Sequence, residues 1–437
     1  MCVALGRRRG GAAAVVVSSR PETAKEILRG SSFADRPAME TARLLMFDRA
    51  IGFAPSGEYW RRLRRIAWTH VFSPTRVLAA EGRRAAVAEG MAAAVREGMR
   101  ERGVVDVREV VGRGALESVV ESVFGSLERE RVGELGFMVK EGYEVMGVGV
   151  GWGWGWGEYL GLGFLDIGGV RRRCCKLGIR VREFVGEIVR ERRRSREREI
   201  MDSSMSTRND DFLSVLLSLP KDDQLTDPDI VAVLWEMVFR GIDNIAILLE
   251  WTMARMVLHR DVQARVQKEI HMNVAAGKEV QDSDVPNLPY LQATVKEILR
   301  LHPPGPLLSW ARLAIHDVHV DGCLIPAGTT AMVNMWAIAH DPSIWPDPWA
   351  FKPDRFMERE FSISGSDLRL APFGSGRRAC PGRALGLAAV HLWLARLLQR
   401  FEWIPDPAHP VDLDECLKLS LEMKTPLQCC AVEISEN

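Results

Sequence analysis

The sequence predicts a mainly helical protein with a small β region. Apolar residues recur at helical spacing along most of the 437-residue chain, and glycine and proline punctuate the pattern where one helix ends and the next begins. Only residues 312–333 and a short C-terminal stretch change to brief alternating runs separated by turn residues, which is typical of strands. No linker is visible between residues 211 and 426, so we predict a single domain over residues 1–437.

The predicted helices follow one another along the chain. Most have one apolar face, whereas the run from Asp227 to His259 is apolar on most faces and is expected in the interior. A segment of alternating tryptophan and glycine, Gly147 to Gly163, is not expected to be helical because each glycine costs about 1 kcal/mol relative to alanine. The predicted helices are Pro21 to Leu28, Tyr59 to His70, Pro74 to Arg102, Glu109 to Phe124, Arg129 to Met146, Gly169 to Arg198, Asp227 to His259, Asp261 to Val274, Tyr290 to Leu301, and a last one that ends near Phe401.

Composition narrows the classes of function. The chain carries 58 basic and 58 acidic residues, so there is no electrostatic case for a nucleic-acid partner. Its 8 cysteines contain no Cys-x-x-Cys pair, and the neighbours Cys174 and Cys175 are too close for a usual metal or disulfide framework. Scattered reduced thiols are typical of a protein that faces the cytosol.

The first residues predict a β-hairpin rather than a membrane span. The apolar run from Ala12 to Val17 is separated from Val3 to Leu5 by Arg7, Arg8 and Arg9. A helix needs about 20 apolar residues to cross a bilayer, and this run is far shorter. We therefore expect two short strands in residues 1–17.

The segment from Pro372 to Gly386 holds the residues most informative about chemistry. Cys380 stands there in a glycine-rich loop, two residues after Arg378 and just before an apolar helical pattern. This setting suits a haem thiolate, which pushes electron density onto the iron and favours O–O cleavage. Pro381 suits the first position of a helix, whose positive end would favour the ionised sulfur, and Arg378 could donate to a haem propionate. The alternative is a glycine-rich turn with a buried free cysteine.

This segment resembles the haem-binding signature of the cytochrome P450 superfamily, Phe-x-x-Gly-x-Arg-x-Cys-x-Gly. Its fixed positions are occupied by Phe373, Gly376, Arg378, Cys380 and Gly382. The resemblance implies the cytochrome P450 fold, a triangular prism of helices with a small β region. It also implies one haem b (iron protoporphyrin IX) with the Cys380 thiolate as axial iron ligand.

A second resemblance concerns charged residues upstream of the cysteine. Glu297 and Arg300 are three residues apart, on one face of a helix, and Arg355 follows before Cys380. In the superfamily, a Glu-x-x-Arg pair and a later arginine form a buried triad that braces the cysteine loop. The resemblance therefore implies a structural role for these three residues. A solvated salt bridge is the alternative.

Trp60 and Arg64 resemble the Trp-x-x-x-Arg of the family's C helix, where both side chains meet a haem propionate. They would lie one turn apart, and both are hydrogen-bond donors only. A basic surface helix that packs through Trp60 is the alternative. Arg312 is a candidate for the other propionate, and a salt bridge within a β-sheet remains open for it.

The distal side of the haem is implied by the segment around Gly241, Asp243 and Asn244, which resembles the family's Gly-x-Asp/Glu-Thr. Gly241 would leave room for O₂, and Asp243 would help to deliver protons by general acid catalysis. Asn244 occupies the threonine position, and an amide cannot relay a proton as a hydroxyl does. This departure puts efficient oxygen activation in question. An ordinary residue at a helix kink is the alternative reading of Asn244.

Further segments resemble a plant group within the superfamily, the A-type clade named seventy-eight-A, which is tied to organ size. The resemblance implies a monooxygenase that uses O₂, an NADPH–cytochrome reductase and a lipophilic, fatty-acid-like substrate, at the cytosolic face of the endoplasmic reticulum membrane. The segments are Phe33 to Pro37, Phe47 to Pro55, Val71 to Pro74 and Trp235 to Gly241.

The N-terminus departs from the family pattern. Met1 begins inside the first β-hairpin, so the anchor helix, the hinge and the first helix are expected to be missing. Membrane contact would then rest on surface residues such as Trp152, Trp154 and Trp156, since tryptophan favours the bilayer interface. Two other functions remain open: a reductase-independent haem-thiolate isomerase or dehydratase of hydroperoxides, and a non-catalytic product of a truncated gene.

Overall fold

The computed structural model describes residues 2–3, 15–37, 40–150, 169–201, 211–307 and 311–434, and it is mainly helical, as predicted. Within these ranges the helices are α1 (Pro21–Arg29), α2 (Glu40–Met46), α3 (Glu58–Ala67), α4 (Pro74–Ala79), α5 (Glu81–Arg102), α6 (Val107–Phe124), α7 (Arg129–Val150), α8 (Val170–Met201), α9 (Phe212–Leu216), α10 (Asp227–Gly241), α11 (Asp243–Leu258), α12 (Arg260–Asn273), α13 (Pro289–Leu301), α14 (Met335–Ala339), α15 (Arg355–Glu358) and α16 (Arg383–Arg400).

The strands are short and form four small sheets. They are β1 (Cys2–Val3), β2 (Val15–Ser18), β3 (Val105–Asp106), β4 (Arg312–Leu313), β5 (Val318–Val320), β6 (Cys323–Ile325), β7 (Thr330–Val333), β8 (Phe401–Pro405), β9 (Glu415–Leu417), β10 (Leu421–Met423) and β11 (Gln428–Glu433). One sheet has the order β1-β2-β7-β4, another the order β3-β11-β8, and β5–β6 and β9–β10 are two-stranded. β1 pairs antiparallel with β2, as predicted for the start of the chain.

Local capping explains where several helices begin and end. Thr226 and Asp229 form a reciprocal capping box at the start of α10, which satisfies amide groups that have no partner inside the helix. Asp106 accepts a hydrogen bond from the Glu109 N–H at the start of α6, at 2.9 Å. Gly103 ends α5 in a left-handed conformation with φ of 69°, which glycine adopts without a Cβ penalty.

The long apolar run predicted as one helix is two helices in the structure. α10 ends at Gly241 and α11 begins at Asp243, with Ile242 between them. Both helices are buried at the centre of the main core, where Trp235, Phe239 and Trp251 are fully enclosed. The prediction missed the break because apolar residues keep helical spacing on both sides of it.

Other predicted boundaries also shift. The predicted helix from Pro74 to Arg102 divides into α4 and α5 at Ala80. α7 continues to Val150, so the first residues of the segment Gly147 to Gly163 are helical, contrary to prediction. Trp152, Trp154 and Trp156 lie outside the described residues. None of the described helices has the length and apolar character needed to cross a membrane.

The fold brings three regions of the chain together around the cysteine loop. The loop at residues 373–382 leads into α16, which packs against α5 and α13. α10 and α11 run through the core on the other side of the site. The edge of the site is formed by the small sheet that contains β4 and by the segment at residues 50–54. A second apolar cluster, which includes Ala24, Ile27 and Ala331, lies between this sheet and α1.

Candidate active site

The cysteine loop is a tight turn that requires two of its glycines. Gly374 and Gly376 have φ of 72° and 70°, a region that residues with a Cβ adopt only with strain. A Cβ on Gly376 would also lie 2.3 Å from the Leu28 carbonyl oxygen in α1. The Cys380 N–H donates to the Phe373 carbonyl at 2.9 Å, which closes the loop. Gly382 has an ordinary φ of −85° and contacts Phe72 instead.

Cys380 is exposed to solvent. Many protein atoms nevertheless surround its thiol, and this burial raises the pKa of the thiol. The Gly382 N–H and the charges of Arg240, Arg64 and Arg383 act in the opposite direction. The sequence predicted Pro381 at the first position of the next helix, but α16 begins only at Arg383. A bound metal ion would ionise the thiol outright.

Arg378 is buried and donates to backbone carbonyls of three residues. Its guanidinium contacts the Ala34 oxygen at 3.2 Å, the Ile51 oxygen at 3.4 Å and the Ala54 oxygen at 2.8 Å. Burial, together with Arg64, lowers its pKa to about 10, although the charge of Asp35 opposes the shift. Arg378 therefore ties the cysteine loop to the segment at residues 50–54.

Trp60 and Arg64 lie one turn apart on α3, as predicted, but Trp60 has a protein partner. Its Nε1–H donates to the Ile51 carbonyl at 3.0 Å, so this donor is engaged within the chain. Two cations lie near its ring, with the Arg378 guanidinium 4.3 Å and the Arg64 guanidinium 5.5 Å from the ring centre. Arg64 donates to the carbonyl of Ala379, next to the cysteine, at 3.1 Å. In the described structure Trp60 thus orients two arginines rather than offering its own N–H.

Arg312 on β4 is the most exceptional polar side chain of the site. It is only 3% exposed, and its Nε and Nη1 atoms have no hydrogen-bond partner among the described residues. Burial and the charges of Arg378 and Arg64 lower its pKa to about 10. No described carboxylate forms an ion pair with it, so the alternative of a β-sheet salt bridge is not supported. A buried cation without partners is costly and indicates an anionic group at this place.

Two residues of this region were missed in the sequence, Arg36 and Glu236. Arg36 donates to the Gly52 carbonyl at 3.1 Å and to the Ala311 carbonyl at 3.3 Å. Glu236 on α10 is 6% exposed and accepts from the Gly52 N–H at 2.7 Å. Both lie in segments that resemble the plant group, Phe33 to Pro37 and Trp235 to Gly241. This resemblance is the one feature of the sequence that could have drawn attention to them.

Gly241, Asp243 and Asn244 lie at the break between α10 and α11. A Cβ on Gly241 would lie 3.1 Å from Val119 Cγ2, so the glycine permits close packing against α6. Burial raises the pKa of Asp243 to about 7, with Arg240 opposing the rise and Glu422 adding to it. Asn244 donates from Nδ2 to the Arg240 carbonyl at 3.4 Å. The carboxyl of Asp243 can therefore hold or release a proton near neutral pH.

Glu297, Arg300 and Arg355 come together in a buried ion network. Arg300 forms two 2.8 Å bonds to the Glu297 carboxylate, and both residues are fully buried. Arg355 Nε lies 3.4 Å from Glu297 Oε1. Arg300 also donates at 2.8 Å to the Ala339 and Pro348 carbonyls. The network thus ties α13 to residues 339–355. The resemblance implied that it braces the cysteine loop, but none of these contacts reaches that loop directly.

The residues of the site fit a haem. The Cys380 side chain is exposed, and two glycines of its loop have positive φ values, which residues with a Cβ adopt only with strain. The described positive groups around its edge exceed the negative ones, and Arg312 offers two buried nitrogen atoms that lack partners. A flat macrocycle with two carboxylates matches both features.

The family model described as Cytochrome P450 matches residues 7–430. The chain is 51% identical over 425 residues to "Cytochrome P450 78A5" of Arabidopsis thaliana, covering 95% of this chain and 80% of that protein. It is 51% identical over 431 residues to "Cytochrome P450 78A1" of Zea mays, covering 95% and 77%.

A solved structure has the same fold. The zebrafish cytochrome P450 with progesterone superimposes with a TM-score of 0.79 at 26% identity, covering 99% of this chain and 96% of that one. The fold predicted from the sequence is therefore confirmed.

Proposed function

The chain belongs to the cytochrome P450 family of haem-thiolate monooxygenases, and we propose that it inserts one oxygen atom from O₂ into a C–H bond of a lipophilic, fatty-acid-like substrate. Electrons would come from an NADPH–cytochrome reductase. The observation that best supports this function is the presence of the buried Arg312 near the Cys380 loop, because its Nε and Nη1 atoms have no hydrogen-bond partner in the part of the chain that the structure describes.

In this proposal Cys380 would supply the thiolate that holds the haem iron, and Arg312, Arg64 and Arg378 would bind the propionates. When bound, the haem supplies the iron at which O₂ is activated, and a thiolate ligand favours O–O cleavage. The nitrogen atoms of Arg312 that lack partners provide charge-assisted hydrogen bonds to a carboxylate. Trp60 contributes through cation–π contacts with Arg378 and Arg64.

Asp243 and Asn244 serve the distal side. Because burial raises the pKa of Asp243 to about 7, its carboxyl carries a proton for part of the time at neutral pH and can act as a general acid. Asn244 keeps the carbonyl of Arg240 occupied at the helix break. Gly241 allows α10 to lie against α6 at this point.

Substrate, partner and location belong to the same proposal. The family likeness supports a lipophilic substrate and a reductase as electron donor, and it supports a place at the cytosolic face of the endoplasmic reticulum membrane.

The experiment that tests the proposal combines purified chain, reductase, NADPH and isotopically labelled O₂ with a panel of fatty acids in lipid. The proposal expects product that carries one labelled oxygen atom and forms only with reductase and NADPH. Conversion of a fatty-acid hydroperoxide without reductase, and without label from O₂, would instead identify an isomerase. Asn244 at the threonine position makes that comparison necessary.

A further inference from the structure

The backbone N–H and the backbone carbonyl of Gly52, which belong to two successive peptide groups, each bond to a charged side chain. Glu236 Oε1 accepts its N–H at 2.7 Å, and Arg36 Nε donates to its carbonyl at 3.1 Å. A Cβ at position 52 would lie 2.6 Å from Glu236 Oε1, so only glycine allows the carboxylate to come this close. The clamp fixes the segment at residues 51–54 to α10.

This segment in turn orients the side chains at the edge of the proposed haem site. The Ile51 carbonyl accepts from Trp60 Nε1 at 3.0 Å and from Arg378 Nη1 at 3.4 Å. The Ala54 carbonyl accepts from Arg378 Nη2 at 2.8 Å. A shift of the segment would therefore move Arg378, which lies two residues before Cys380. Glu236 acts on Trp60 and Arg378 through the peptide group between Ile51 and Gly52, because it accepts the N–H of this group while they donate to its carbonyl.

The charge of Glu236 is as unusual as its position. The side chain is 6% exposed, and its Oε2 atom has no hydrogen-bond partner among the described residues. Burial raises the pKa of its carboxyl to about 7, against the Gly52 and Ile51 N–H groups and the charges of Arg240 and Arg36. Arg64 and Arg378 also lie within range of its charge. Near neutral pH the carboxyl is thus balanced between a charged and a neutral form.

We propose that Glu236 is a positioning residue, which fixes the segment at residues 51–54 and takes up a proton when the negatively charged edge of the haem binds. Two propionates close to the arginines compete with the Glu236 carboxylate for the same positive charges. The neutral carboxyl still accepts the Gly52 N–H, so the clamp survives protonation while the repulsion disappears. The inference rests on haem binding at Cys380 and adds to it a coupling to pH.

The sign of the pH effect follows from this competition. Below pH 7 the Glu236 carboxyl is neutral and the arginine cluster has its full positive charge for the propionates. Above pH 7 the carboxylate is negative and repels them, because like charges nearby destabilise each other. Haem should therefore leave the protein faster as the pH rises through the region just above 7.

The test measures haem transfer from the holoprotein to an excess of haem-free myoglobin, at pH values on both sides of 7. The wild-type rate should rise with pH. Glu236→Gln keeps an acceptor for Gly52 but cannot titrate, so its rate should be independent of pH and lower than the wild-type rate at high pH. Glu236→Ala loses the clamp, and its rate should be about tenfold higher at every pH, as expected for a lost buried hydrogen bond.

A matched control is Glu250→Gln on α11. Glu250 is 1% exposed and lies 2.8 Å from Arg108 Nε, so the substitution perturbs a buried pair of the same kind away from Gly52. Its rate should keep the wild-type dependence on pH. In addition, infrared difference spectra on haem binding should show a new protonated carboxyl band that is absent in Glu236→Gln.

Two results would overturn the inference. Glu236→Gln could retain the wild-type pH dependence, or Glu236→Ala could release haem at the wild-type rate. If Glu236→Ala does not fold, the Gln variant and the infrared band decide alone. A wild-type chain that binds haem without a thiolate spectrum would contradict the proposed function, while haem transfer would still report on Glu236.

Discussion

Asn244 uses both ends of its side-chain amide. Its Nδ2 atom lies 3.4 Å from the Arg240 carbonyl, and its Oδ1 lies 3.5 Å from the Ser420 hydroxyl in the turn between β9 and β10. Both contacts are long, so neither holds the side chain strongly. Asn244 therefore joins the helix break to a hairpin of the β region, while offering no hydroxyl for proton transfer beside Asp243.

We predict that Asn244→Thr keeps or improves the coupling of NADPH oxidation to product. A threonine hydroxyl can bond the carbonyl four residues earlier, here that of Arg240, so the helix break should persist. The hydroxyl is also the better proton relay. The measurement is the ratio of product to NADPH consumed, together with released hydrogen peroxide, which should fall. Lower product with reductase-independent turnover of a hydroperoxide would favour the isomerase.

The roles of some residues could be predicted from the sequence, whereas the roles of others could not. Cys380 and Arg378 were predictable because a short fixed spacing places them in one loop. Glu236 and Arg36 were not, because their shared contact is Gly52, whose spatial position depends on the whole fold. The partner of Trp60 was also missed, since the Ile51 carbonyl becomes its acceptor only when the segment at residues 50–54 folds back onto α3.

Among the elements, α13 is held in the protein interior by a buried network of charged side chains. Glu297 receives two bonds from Arg300 and also accepts the Lys352 N–H at 2.9 Å. Arg300 stacks near Trp345, with its guanidinium 5.4 Å from the ring centre. Every charge in this network depends on the others, because the protein interior cannot solvate an isolated ion.

We predict that Glu297→Ala yields little folded holoprotein, since breaking a buried ion network costs about 3–5 kcal/mol. Denaturant unfolding and the haem content of the purified chain measure the effect. Glu109→Ala is the matched control. It removes an arginine pair in which both side chains are about half exposed, and should cost less than about 1 kcal/mol. A folded, haem-loaded Glu297→Ala protein without activity would make Glu297 catalytic.

The cysteine loop depends on its contact with α1. We predict that Gly376→Ala lowers both stability and haem content, because φ is 70° and the added Cβ would lie 2.3 Å from the Leu28 oxygen. Gly386→Ala on α16 is the control, since no atom lies within 4 Å of its Cβ position. It should be neutral or stabilising by roughly 0.5–1 kcal/mol, as alanine favours helices. Equal effects of the two substitutions would contradict this account of the loop.

The break between α10 and α11 shows the limit of pattern reading at the scale of elements. The segment Gly241, Ile242 and Asp243 contains no proline, and the local signal for a break was limited to the alternative reading of Asn244 as a residue at a helix kink. A single glycine is tolerated inside helices. The break is instead associated with tertiary contacts, namely the packing of Gly241 on Val119 and the Asn244 bond to Arg240.

The whole molecule assembles one site from distant parts of the chain. The cysteine comes from the loop before α16, the arginines from α3, β4 and two loops, and the distal residues from the break in the central helices. These parts meet because α10 and α11 form the buried axis on which the other elements pack. The order of motifs along the chain predicted which parts belong together, but the surplus of positive charge became visible only in three dimensions.

The central claim is that Cys380 binds haem iron through its thiolate. The most direct test is the carbon monoxide difference spectrum of the reduced, purified chain, compared between the wild type, Cys380→Ala, Cys323→Ala and Cys416→Ala. We predict a strongly red-shifted Soret band for the wild type and for both control variants, whose cysteines lie outside the loop. The band should be absent in Cys380→Ala, and its persistence in that variant would contradict the assignment of the site.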